Sequence, residues 1–276
     1  MIRISAFLLL FLVVSTGHSY SQKYEKVVYK TVDTTQLYLR IQYPPNTKKS
    51  DLKPAMIFFF GGGWNGGSYT QFEKQAAYFA SRGLVTILAD YRVASRNHTT
   101  PFDAVRDAKS AIRYLKENHS KFQIDSSRII AAGGSAGGHI AAAADLTTLE
   151  EPNENLLVSS RPHALVLFNP VFNNGPGEYG YDRIGERYPE ISPYHNIRQG
   201  AAPTVVFFGT KDNLVSVGTA QKYVDKLNQY GTKGELYTYE GQVHGFFNKG
   251  EWYTKTVREA DLFLAKLGYI KGKPTL

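Results

Sequence analysis

Arg128-Ile129-Ile130-Ala131-Ala132-Gly133-Gly134-Ser135-Ala136-Gly137-Gly138-His139-Ile140-Ala141-Ala142-Ala143-Ala144-Asp145 carries the strongest local signal in the chain. Ile129 to Ala132 is an apolar run of strand length, Gly133 to Gly137 matches G-x-S-x-G, and an alanine-rich helical segment follows at once. A serine on so sharp a turn between strand and helix needs unusual backbone angles, and glycines two residues either side keep side chains out of the way. Ser135 is therefore the candidate nucleophile. It stands above a helix N-terminus, which favours developing negative charge.

Working outward, the neighbouring segments alternate between two periodicities. Residues 26–43 read as two strands of a hairpin-like start, and Ala55 to Phe60 is a continuous apolar run of the kind buried on both faces of a sheet. Leu84 to Ala89, Ala164 to Phe168, Pro203 to Phe208 and Glu235 to Tyr239 read as further strands. Helical patterns cover 70–82, 101–118, 137–146, 219–229 and 253–267. Strands alternating with helices predict an α/β fold, a mostly parallel central sheet with helices on both faces. The connection 172–200 is too long for a turn and carries Tyr179, Tyr181, Tyr188 and Tyr194. It is expected to be a short lid or binding loop.

The chain has 276 residues, formal net charge +8 and no cysteine, which excludes a disulfide scaffold and a cysteine nucleophile. Arg3, the apolar run Ala6 to Val14 and the small-x-small Ser19-Tyr20-Ser21 predict a signal peptide over 1–21, cleaved before Gln22. The expected mature unit is a single domain over 22–276, exported to the periplasm or secreted, with no stable membrane span. Basic residues are scattered, with no basic helix or aromatic RNA-binding motif, so no nucleic-acid partner is expected. No His–carboxylate spacing suggests a metal site, and no cofactor is expected.

A serine hydroxyl needs a base, and the base needs an orienting acid. Downstream of Ser135, the strand 203–208 runs into Gly209-Thr210-Lys211-Asp212, and the last strand is followed by Glu240-Gly241-Gln242-Val243-His244-Gly245. Asp212 and His244 are the candidate acid and base, each in the loop after a strand, where ligand groups gather in open parallel sheets. Glu240 is the alternative acid; Asp225 reads as a solvated helix residue. His163 and His195 fall at a strand start and in the long connection, and His139 lies one turn beyond Ser135.

On Gly61-Gly62-Gly63-Trp64, Asp90-Tyr91-Arg92, Asp125-Ser-Ser-Arg-Ile129, Gly133 to His139, Gly209-Thr-Lys-Asp212 and His244-Gly-Phe246, the chain resembles α/β-hydrolases of the hormone-sensitive-lipase-like branch. The likeness extends over about 35–268 and is closest to bacterial carboxylesterases and carbohydrate acetyl esterases. It implies a Ser135–His244–Asp212 triad, since the family's chain order is Ser, Asp, His. It also implies an oxyanion hole from the backbone N–H groups of Gly62, Gly63 and Ala136. Phe60 departs from the pattern: the family usually has a histidine there that braces the glycine loop. Family members acting on plant or algal polysaccharides often carry signal peptides. By that analogy, the expected substrate is a small-molecule, oligosaccharide or polysaccharide ester carrying small acyl groups, with Trp64, Tyr179 and Tyr181 as substrate contacts. A prolyl-oligopeptidase-type serine peptidase is the rival, although that family resembles G-x-S-Tyr-G-G at the elbow, where this chain has Ala136, and carries a large extra domain. A non-catalytic binding protein is the third alternative.

Overall fold

The computed structural model describes residues 24–48 and 50–276; the expected signal peptide lies outside the described residues. β1 (Glu25–Val32) and β2 (Thr35–Gln42) form the antiparallel hairpin that their alternating pattern predicts. The remaining strands follow as β3 (Lys53–Phe59), β4 (Val85–Ala89), β5 (Ile124–Gly134), β6 (Ala164–Phe168), β7 (Thr204–Gly209) and β8 (Gly234–Tyr239), the last a sheet edge and only half-buried. They make one sheet in the order β1-β2-β4-β3-β5-β6-β7-β8. β2 pairs antiparallel with β4, and every pairing from β4 to β8 is parallel. This is the α/β-hydrolase architecture. β5 starts five residues earlier than the apolar run suggests, because Ile124 pairs with Lys53 across a register shift before Ile129 meets Ala55.

The helices are α1 (Glu73–Ser81), α2 (Ala94–Asn97), α3 (Pro101–Glu117), α4 (Ala136–Leu146), α5 (Tyr181–Ile184), α6 (Val217–Gln229) and α7 (Gly250–Lys266). α1 is shorter than its periodicity implied, since Tyr69–Phe72 form a separate tight turn in front of it. α3 begins where Thr100 and Asp103 cap each other reciprocally with Pro101 next in line, an arrangement worth about 1 kcal/mol. Two apolar layers flank the sheet. Phe72, Ala76 and Phe79 pack with Val257, Phe263 and Leu264 of α7 on one face. On the other, Val105, Ala108 and Ile112 of α3 join α4, Ala220, Tyr223 and Leu227 of α6, and Ile184 and Ile191 from 172–200. The long connection is thus not bare loop. It is folded into α5 and two further short helical turns, with its own buried anchors.

Candidate active site

The C-terminal ends of β5, β7 and β8 bring the three chemical groups together. Ser135 follows β5 with φ 53° and ψ −119°, backbone angles that put it on a tight turn before α4. A methyl on Gly133 would lie 2.4 Å from the Gly137 backbone, and one on Gly137 would lie 2.1 Å from the Phe59 carbonyl oxygen. Glycine is therefore required at both positions. Asp212, on the turn after β7, has a fully buried side chain, while that of His244 retains 18% exposure. Asp212 Oδ1 accepts from the backbone N–H groups of Leu214 (2.9 Å) and Val215 (3.0 Å). Its Oδ2 accepts from His244 Nδ1 at 2.7 Å. With that proton on Nδ1, His244 Nε2 is left as the acceptor for the Ser135 hydroxyl, 2.8 Å away. The three groups form one hydrogen-bonded relay from carboxylate to imidazole to hydroxyl. Glu240 stands exposed at the end of β8 and takes no part in it.

The opposite wall is the loop after β3. Among the described residues, the backbone N–H groups of Gly62, Gly63 and Ala136 have no hydrogen-bond partner. They are available to an incoming anion. Gly61, by contrast, donates its N–H to Gln71 Oε1 at 2.7 Å. A cleft of about 280 Å³ lies between the walls, lined by Gly62, Gly63, Gln71, Ser135, Leu214 and His244, with Tyr179 at its edge. A second, of about 540 Å³, opens on the far side of Gly62 and Gly63 and is lined by Trp64, Asn65, Thr99, Tyr179 and Arg183.

The expected substrate contacts divide. Tyr179 lines both clefts, and Trp64, a residue only 2% exposed, lines just the larger one. Tyr181 lines neither: its hydroxyl donates to Glu186 within 172–200. Tyr188 and Tyr194 pack on His195. His139 lies fully buried behind the loop, where Trp64 Nε1 donates to its Nδ1 at 3.3 Å. An indole can only donate, so the His139 proton sits on Nε2. Burial pushes this imidazole down to about 3, so it is neutral.

Asn169 and Gln71 are among the polar residues that escaped the sequence reading. Asn169, at the end of β6 with φ 36°, accepts from the Gly245 N–H at 3.1 Å and places Nδ2 3.4 Å from His244 Nε2. It fixes the backbone beside the imidazole. The only signal for it was a polar residue at a strand's C-terminal end. Gln71 lies in a polar stretch that gave no signal. Asp90-Tyr91-Arg92 acts as structure: the Tyr91 hydroxyl donates to the Phe60 carbonyl at 2.7 Å, and Arg92 holds Asp107 in a fork of two 2.8 Å contacts.

Sheet, elbow and hydrogen-bonded relay together define a hydrolase-type α/β protein. Two family models match successive parts of the chain: BD-FAE over 39–165 and the dienelactone hydrolase family over 177–266. Thermogutta terrifontis esterase 2, phosphoramylated by tabun, is 42% identical, with 91% of this chain and 97% of that chain covered at a TM-score of 0.87. Esterase LipC of Mycobacterium tuberculosis is 28% identical over 70% of this chain and 53% of its own length. The isoprenylcysteine alpha-carbonyl methylesterase ICME of Arabidopsis thaliana is 27% identical over 82% and 58%. The chain therefore spans somewhat more than half the length of these two curated relatives. It belongs to the hormone-sensitive-lipase-like esterases of the α/β-hydrolase family.

Proposed function

We propose that the protein is an exported serine carboxylic-ester hydrolase that removes small acyl groups, acetyl above all, from a carbohydrate. The observation that carries the hydrolase reading is the unbroken relay Asp212–His244–Ser135 facing free N–H groups of Gly62, Gly63 and Ala136. In this mechanism, His244 Nε2 takes the Ser135 proton as Oγ attacks the ester carbon. The carbonyl oxygen becomes an oxyanion held by the three N–H groups. The intermediate collapses as His244 returns the proton to the departing alcohol, leaving an acyl-serine. Water, activated by the same imidazole, then releases the acid. Asp212, buried and doubly hydrogen-bonded, keeps the imidazole in the tautomer this needs.

The preference for a short acyl group draws support from the small cleft around Ser135 and from Thermogutta terrifontis Est2, whose structures include propionate-bound and butyrate-bound forms at 41% and 40% identity. The sugar rests on the polar and aromatic lining, Asn65, Thr99, Trp64 and Tyr179, of the adjoining cleft. Export rests on the leader-like 1–21. The test is turnover of p-nitrophenyl esters from acetate to decanoate beside an acetylated xylo-oligosaccharide and an aminoacyl anilide. Highest rates on the short esters with acetate released from the oligosaccharide are expected. Highest rates on the long chains with no acetate released point to a lipase-like enzyme, and cleavage of the anilide to a peptidase.

A further inference from the structure

The glycine loop that presents the oxyanion donors follows a residue that offers it no side-chain hydrogen bond. The Phe60 ring, with no polar atom, lies stacked on Tyr91 at 4.1 Å and 17°. Yet the loop holds left-handed backbone angles: Trp64 adopts φ 57°, and Gly62 and Gly63 have φ 139° and 63°. Only glycine enters that region freely, and a bulky residue there costs of order 1–3 kcal/mol unless its surroundings enforce it. Something must hold these angles.

Two side chains from opposite directions grip the loop's backbone. Gln71, on the turn before α1, accepts the Gly61 N–H through Oε1 at 2.7 Å. A methyl placed on Gly61 would lie 3.5 Å from that oxygen and 3.3 Å from Ser135 Cβ, so the amide and the nucleophile flank the same residue. From the other side comes Arg183, on α5 of the 172–200 segment. Its Nη1 donates to the Gly63 carbonyl, and its guanidinium lies 5.1 Å from the Trp64 ring and 5.0 Å from that of Tyr179. The nearest carboxylate, Asp182, is exposed and 3.6 Å from Nε, leaving the Gly63 contact to Nη1. The segment also presses close. A methyl on Gly180 would lie 2.7 Å from the Trp64 ring, and one on Gly63 would lie 2.9 Å from the Tyr179 hydroxyl.

We propose that Gln71 and Arg183 are positioning residues for the oxyanion loop. Gln71 fixes the Phe60–Gly61 peptide, one before the peptide that carries the Gly62 N–H, and Arg183 fixes the Gly63–Trp64 peptide, one after the peptide that carries the Gly63 N–H. The Gly62 and Gly63 N–H groups are thereby aimed before substrate arrives. The 172–200 segment then serves as a clamp on the loop as well as a wall of the cleft. The inference rests on the ester-hydrolase reading, and wild-type turnover of p-nitrophenyl acetate checks that reading separately.

The experiment compares Gln71→Leu, Arg183→Met, the double variant and Arg183→Lys. Each is measured for kcat, KM and Tm. Each is also titrated with a short trifluoromethyl ketone, whose carbonyl oxygen becomes an oxyanion when Ser135 Oγ adds to it, and with the matching methyl ketone. Misaimed donors should lower kcat on the order of 10-fold in each single variant. Trifluoromethyl-ketone affinity should fall by the same factor, with KM and methyl-ketone affinity changed by less than about 2-fold. Arg183→Lys, which keeps one donor for Gly63, should recover part of the loss. A rise in KM at constant kcat would overturn the proposal by making these residues ground-state contacts. A parallel fall in Tm and in affinity for both ketones would overturn it by making them merely structural. Active variants indistinguishable from an active wild type would overturn it outright.

Discussion

The two walls of the cleft are assembled differently. Ser135, Asp212 and His244 each stand on a turn directly beyond a strand, β5, β7 or β8, and parallel pairing alone brings those strand ends side by side. The facing wall, Gly61 to Trp64, also follows a strand. Its shape, however, is set by side chains from elsewhere: Tyr91 beyond β4, Gln71 before α1, His139 in α4 and Arg183 in α5. The first wall is built by topology, the second by docking. Damage to the first should abolish the chemistry, and damage to the second should grade it.

The largest effect is expected at Ser135. Ser135→Ala removes the nucleophile and no packing, so ester turnover should fall by about 10⁴ or more with Tm nearly unchanged. Steady-state kinetics beside a thermal melt checks this; a folded variant with substantial activity would reject the assignment. Next comes Asp212→Asn, which leaves the shape intact but lets the imidazole adopt the wrong tautomer, at a cost of about 10³ to 10⁴ in kcat. Glu240→Gln, on an exposed carboxylate outside the relay, should stay within about 2-fold of wild type. If Glu240→Gln is the more damaging of the two, the acid lies at Glu240.

The third prediction concerns His139, where elbow helix and docked wall meet. Its folded value of about 3 lies below the ordinary histidine value, so the unfolded chain binds a proton in that window that the folded protein refuses. Stability should consequently decline as pH falls from the ordinary histidine range toward 3, with His139 supplying up to about 1.4 kcal/mol per pH unit. His139→Gln keeps an acceptor for Trp64 Nε1 and should flatten that slope in urea unfolding between pH 4 and 7. An unchanged slope would show that other groups set the acid sensitivity. The smallest effects belong to the aromatic contacts. Tyr179→Ala, at the edge of both clefts, should raise KM for an acetylated oligosaccharide by a few-fold, about 1 kcal/mol, while Tyr181→Phe should leave it unchanged. Equal effects from both would mean that the cleft walls are drawn wrongly.

The same contrast explains what the sequence disclosed. Ser135 could be read because its glycines are obligatory at fixed spacing, and Asp212 and His244 because each follows a recognisable strand in the required order. The strand runs themselves were legible from apolar continuity, including the whole of β6. Residue types in 172–200 drew notice for their aromatic content, but composition does not say which way a ring faces. Tyr179 reached the clefts and Tyr181, two residues on, turned to Glu186. Gln71, Asn169 and Arg183 were invisible for a related reason. Each acts through one hydrogen bond to backbone brought near by tertiary packing, which has no periodicity and no spacing rule. The early start of β5 was missed because Asp125, Ser126 and Ser127 are polar and fall in the register shift between the Ile124–Lys53 and Ile129–Ala55 pairs, breaking the apolar run before the buried Ile124.

A p-nitrophenyl phosphonate tests the central claim, that Ser135 is the nucleophile of a hydrolytic relay, most directly. Its phosphorus accepts the serine oxygen, expels nitrophenolate and leaves a stable covalent adduct in place of the tetrahedral intermediate. Intact-mass and peptide-level mass spectrometry should find one phosphonyl group per chain, on Ser135, forming as esterase activity disappears. The same reagent should label Ser135→Ala not at all and Asp212→Asn far more slowly. Labelling at another residue, or full activity surviving complete modification of Ser135, would contradict the account.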